Sequence, residues 1–121
     1  MKVYKVTDVD KYSACGRDVN YGHGKTYAPA GTRLFCFDTL EHAKEFVLEL
    51  QQGCAIKNKR VWIANATGVS KPKLCALMCD HIEQFWANWS HRTLSSWGYY
   101  EMPVPIGTLW AKTITLIEEI K

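Results

Sequence analysis

The chain has 121 residues, 47% of them hydrophobic and 22% charged, a make-up that fits one ordinary globular domain and excludes disorder over most of its length. Lys and Arg number 15 against 12 Asp and Glu, so the net charge is +3, too little for the dense basic stripe of a duplex-DNA binder though compatible with a small anion. Five cysteines without a C-x-x-C pair, a charged N-terminus in place of a secretory signal and no apolar run of spanning length predict free thiols in a reducing cytosol and no membrane span.

The opening MKVYKVTD alternates apolar and polar residues, which predicts a strand over 3–7. Residues 12–15 allow a second, short strand. From 16 to 31 Gly, Asn, Asp and Pro recur and predict repeated turns, with Val19, Tyr21 and Tyr27 leaving room for a short strand among them. Residues 33–37, Arg-Leu-Phe-Cys-Phe, predict a buried or half-buried strand. Asp38 then stands three residues before Glu41, an aspartate form of the capping box, in which the carboxylate accepts from orphaned N–H groups of the first turn. Leu40, Ala43, Phe46, Val47 and Leu50 share one helical face, so a helix is predicted over 39–52, stopped by Gly53.

Lys57, Lys59, Arg60, Lys71 and Lys73 gather between two elements and are read as a solvated loop. Residues 60–66 predict a strand with Val61 and Ile63 on one face. Lys71-Pro72 opens a second predicted helix, since proline costs little in a first turn. Leu74, Leu77, Met78, Ile82, Phe85 and Trp89 recur at helical steps and carry it to about residue 91. Residues 95–106 form an aromatic loop. A last strand over 110–117 turns Ile114 and Leu116 one way, Thr113 and Thr115 the other. The predicted fold is α+β: one ligand-binding domain over 1–121, with a largely antiparallel sheet covered by two main helices.

Catalytic and metal signatures are sparse. Cys75 and Cys79 would share a face of the second helix near His81, but no second close pair completes a zinc site, and small core residues explain them better. No G-x-S-x-G, P-loop or H-E-x-x-H is present. His23, His42, His81 and His91 are each possible bases, and the sequence pairs none with a nucleophile. Gly22-His23-Gly24-Lys25 could cradle an anion on converging N–H groups, but a plain hairpin turn explains it better. No catalytic residue and no cofactor is therefore assigned.

The informative stretch runs from Phe85-Trp86 through Asn88, Trp89, His91 and Arg92 to Trp97, Tyr99 and Tyr100. These aromatics cannot all face inward from one helix. Three readings stay open: a stacking site for a nucleobase with Arg on a phosphate, a subunit interface, or an intramolecular aromatic core.

The segments MKVYKVTD, YSACGR, GTRLFCFDTLEHAKEF and PVPIGTLWAKTITLIEEI resemble small phage proteins, closest in size and layout to the anti-Thoeris sponges. The resemblance implies capture, without cleavage, of a cyclic ADP-ribose signal of the glycocyclic type. It also implies a homo-oligomer built from dimers, working in the cytoplasm of the infected bacterial host, with no membrane and no duplex nucleic acid as partner. Transferred by position, the ligand-binding residues are Phe85, Asn88, Trp89, Arg92 and Trp97, with Arg17 and Thr108 beside turns where they could reach phosphate or ribose. Leu109-Trp110 depart from that pattern, being bulkier and more apolar than a polar strand entrance would be. From another class, the same Trp-rich stretch could dock on a host protein.

Overall fold

Alternation along the first segment produces the strand it predicts, β1 (Lys2–Thr7), and the rest of the sheet is built on it. The computed structural model describes residues 1–13, 19–30, 32–53, 59–72, 74–76, 101–103 and 106–121; over 49–53, 74–76 and 101–103 it is the backbone alone. Seven more strands follow: β2 (Thr26–Tyr27), β3 (Leu34–Phe37), β4 (Arg60–Thr67), β5 (Leu74–Ala76), β6 (Glu101–Pro103), β7 (Thr108–Ala111) and β8 (Thr113–Ile120). The helix α1 (Leu40–Gly53) lies between β3 and β4.

Six strands pair in the order β2-β8-β4-β1-β3-β7, and β5 and β6 form a separate two-stranded ladder. Every strand pairing among the described residues is antiparallel, with Lys5 opposite Trp62, Tyr4 opposite Phe37 and Cys36 opposite Leu109. Lys112 alone separates β7, at one edge, from β8, next to the opposite edge. Two residues of chain reach no more than about 7 Å, so the sheet has to curl until its two sides meet there, giving a half-barrel.

The inner face collects Val3, Leu34, Cys36, Ala64, Ala66, Leu109, Ala111 and Ile114, closed over by Val19 and Tyr21. Small residues on neighbouring strands suit the tight curvature. On the outer face α1 packs Ala43, Phe46 and Val47 against Tyr4, Val6, Phe37 and Val61. Phe37 and Phe46 meet with ring centroids 4.9 Å apart.

The predicted two-helix cover is overturned. Among the described residues there is a single helix, and the architecture is a mostly antiparallel sheet, not a sheet covered by two main helices. The start of the second predicted helix, Leu74–Ala76, is instead β5, paired residue for residue with Glu101–Pro103. A short apolar run satisfies helical and extended spacing alike, and pairing with a distant segment decided between them. The same pairing makes Glu101–Pro103 a strand within the predicted aromatic loop. Cys75 accordingly sits on a strand, and the helical pairing of Cys75 with Cys79 falls with the helix. The remainder of that prediction, 77–91, lies outside the described residues, as do Cys15, Gly31 and 95–100.

The cap of α1 is also shifted by one residue. The Thr39 carbonyl accepts the first helical bond from Ala43, and its Oγ1 accepts from the His42 N–H at 3.2 Å, so Thr39 is the N-cap. Asp38 is thereby free to bind a side chain.

Candidate functional site

The one expected ligand residue within the described parts is Thr108. Phe85, Asn88, Trp89, Arg92, Trp97 and Arg17 lie outside the described residues, so the structure does not bring the expected set together. Thr108 begins β7 opposite Phe37 and is buried. Just before it, the Gly107 carbonyl accepts from the Asp38 N–H at 3.0 Å, extending the β3–β7 ladder to the first turn of α1.

That junction holds a polar corner which the sequence reading missed. Asp38 Oδ1 and His42 Nδ1 are 2.6 Å apart, across one helical turn, with their side chains 31% and 30% exposed. Gly107 has φ +82°, and a Cβ there would collide with both Asp38 Oδ1 and His42 Nδ1. Glycine is required on both counts: the left-handed backbone and the close approach. The available signal was the Asp-x-x-x-His spacing at a helix start, which capping chemistry explained equally well.

The corner has definite electrostatics. The hydrogen bond to Asp38 raises the His42 pKa, burial works against it, and the charges of Asp38, Glu45 and Glu41 add to the rise. With Nδ1–H donated to Asp38, the imidazole is fixed in orientation. Its Nε2 has no hydrogen-bond partner among the described residues. When protonated, that nitrogen offers a charged N–H to an anionic oxygen; when neutral, it accepts a proton.

A second cluster lies inside. Lys5, 3% exposed, donates from Nζ to the Phe35 carbonyl at 2.6 Å and stands 4.6 Å over the Tyr21 ring centroid. Its place was legible, because alternation puts Lys5 on the same strand face as Val3. Burial, then the neighbouring Cys36, holds the Tyr21 phenol well above its usual range. Burial pushes the Cys36 thiol up to about 11, with Lys5 opposing. A thiol so buried is protonated near neutrality and is a poor nucleophile. This cluster closes the inner face beneath Val19 and Tyr21 and offers no entry for a substrate there.

Among the described residues no three His, Cys, Asp or Glu side chains gather as a metal site, and no helix is long and apolar enough to cross a membrane. No family model, curated protein or solved structure matches the chain.

Proposed function

We propose that the chain is a phage anti-defence sponge that sequesters a cyclic ADP-ribose type signal without cleaving it, as a homo-oligomer in the cytoplasm of the infected host. The observation that carries the reading is where the resembling segments fall. MKVYKVTD contains β1, GTRLFCFDTLEHAKEF contains β3 and the start of α1, and PVPIGTLWAKTITLIEEI contains β7 and β8. β1, β3 and β7 are consecutive neighbours in the sheet, and the ends of β3 and β7 meet the start of α1 at the corner of Asp38, His42, Gly107 and Thr108. Three of the resembling strands therefore fall side by side in the sheet.

The chemistry of that corner suits the ligand class. A protonated His42 offers a charged donor to a pyrophosphate oxygen, and Asp38 holds its ring. Stacking and adenine reading fall to Phe85, Asn88, Trp89, Arg92 and Trp97, and Arg17 and Thr108 are assigned to phosphate or ribose. A sponge removes one molecule per site, so it needs submicromolar dissociation, worth more than about 8 kcal/mol.

The test is to incubate the protein with cyclic ADP-ribose isomers, remove free ligand by filtration, heat-denature the protein and analyse the supernatant by mass spectrometry. Intact nucleotide in stoichiometric amount is expected. A cleaved product would make the protein an enzyme. No retention of any isomer would leave the host-protein docking reading, to which Ile106, 71% exposed beside the corner, would be the first contact to test.

A further inference from the structure

The inner face carries one aromatic that the buried core does not absorb. Trp62, on β4 between Lys5 of β1 and Glu119 of β8, is half-buried, and its Nε1–H donates to Thr7 Oγ1 at 2.9 Å, which fixes the indole. Arg60, two residues earlier on the same face, has a side chain 46% exposed and meets Glu119 at 3.2 Å. Lys11 comes from a different segment, and its Nζ stands 5.4 Å from the Trp62 ring centroid.

Lys11 is held there at a cost. Among the described residues it is the one non-glycine with positive φ, at 68°. Hydrogen bonds impose that conformation from both sides. The Lys11 N–H donates to the Asp8 carbonyl at 3.2 Å, and the Lys11 carbonyl accepts from the Tyr21 N–H at 2.8 Å. Asp8 Oδ1 is occupied by the N–H groups of Asp10 and Tyr12. A left-handed lysine persists only where its surroundings over-determine it, and such residues cluster at ligand clamps. Gly22 sits against the Lys11 side chain, so the Gly22-His23-Gly24-Lys25 turn borders the same place.

We propose that Trp62 and Lys11 form a nucleotide platform: the indole stacks a heterocyclic base and the ammonium takes a phosphate, with Arg60 as a second cation at the rim. The proposal rests on the nucleotide reading above and adds residues to it. A base stacked on the half-buried indole takes the place of the ammonium, so the ligand displaces Lys11 from the ring and pairs with it through phosphate.

The experiment titrates ADP and a cyclic ADP-ribose isomer separately against the wild type, Lys11→Gly and Trp62→Phe, reading tryptophan fluorescence and calorimetric affinity. Glycine relieves the left-handed strain, so Lys11→Gly keeps the fold, checked by circular dichroism, while its affinity falls about tenfold with the lost charged contact. Quenching seen in the wild type and absent in Trp62→Phe is the expected signature. Trp62-dependent quenching with ADP but with no cyclic isomer upholds the platform and overturns the sponge reading. Retention of a cyclic isomer with no Trp62-dependent change and unaltered affinity in Lys11→Gly overturns the platform and leaves the sponge. No Trp62-dependent change with either nucleotide also overturns the platform.

Discussion

The inner and outer faces of the half-barrel share the same strands and differ in what they leave open. Inside, Val3, Leu34, Cys36, Ala64, Ala111 and Ile114 are fully buried, and even the polar Lys5 and Thr7 are enclosed. Outside, the tight cluster among the described residues is Val6, Phe37 and Ala43, with Tyr4, Phe46, Val47 and Val61 partly buried around it. At the end of that outer layer stand Asp38 and His42, each about one-third exposed. Strand alternation thus commits most of the inner face to stability, with Trp62 and Arg60 left at its rim, while the face covered by α1 keeps room for titratable groups at the helix start.

The strongest way to break this comparison is to cut a methylene-rich side chain from each face. Ile114→Ala is expected to cost about 2–5 kcal/mol in urea unfolding, because curled strands cannot collapse into the cavity. Phe46→Ala, on the half-buried layer, should cost clearly less. Equal losses would show that the outer layer carries as much of the fold as the inner one.

Gly107→Ala sharpens the picture at the corner. The added methyl meets the Asp38–His42 pair and the backbone is already left-handed, so a loss of about 1–3 kcal/mol is expected. The same variant should return the His42 titration, followed by NMR, towards its ordinary value. An unchanged titration would separate the pair from the glycine. Thr39→Ala is expected to be milder, about 1 kcal/mol, as for other lost N-caps. If Asp38→Ala costs more than Thr39→Ala while leaving His42 unaffected, the cap assignment is wrong.

The legible parts of this fold are those in which one pattern has one meaning. Period-two alternation identified β1, the Leu-Phe-Cys-Phe run identified β3, and the apolar stripe from Leu40 to Leu50 identified α1. Where one pattern has two meanings, the sequence was silent or misleading. A single strand over 110–117 hides a slip at Lys112, which falls in the register of Ile114 yet is exposed, while Ala111 and Ile114 both enter the core. There the chain leaves β3 for β4, with the Lys112 N–H donating to the Thr67 carbonyl and the Lys112 carbonyl accepting from the Ala28 N–H. Leu-Cys-Ala fits a helix until its partner strand is known. Of the expected ligand residues only Thr108 can be placed. Asp38, His42 and Gly107 escaped notice because the corner joins positions some seventy residues apart, and neither half is unusual alone.

The smallest predicted effect is the most diagnostic of the corner. His42 in the folded chain binds its proton more tightly than a free imidazole, chiefly through Asp38. A group whose folded pKa is raised adds stability that is fully present below its unfolded value, about 6.5, and is lost as pH rises through the folded value. The midpoint of unfolding should therefore be compared between the wild type and His42→Gln from about pH 5 to 8. The wild type is expected to hold its advantage at the acidic end and to lose it towards the alkaline end. Because the pair is partly exposed, salt should shrink the advantage as well. A wild-type advantage that instead grows with pH would mean that the imidazole is held neutral, and the corner would then present an acceptor, not a cation, to any bound anion.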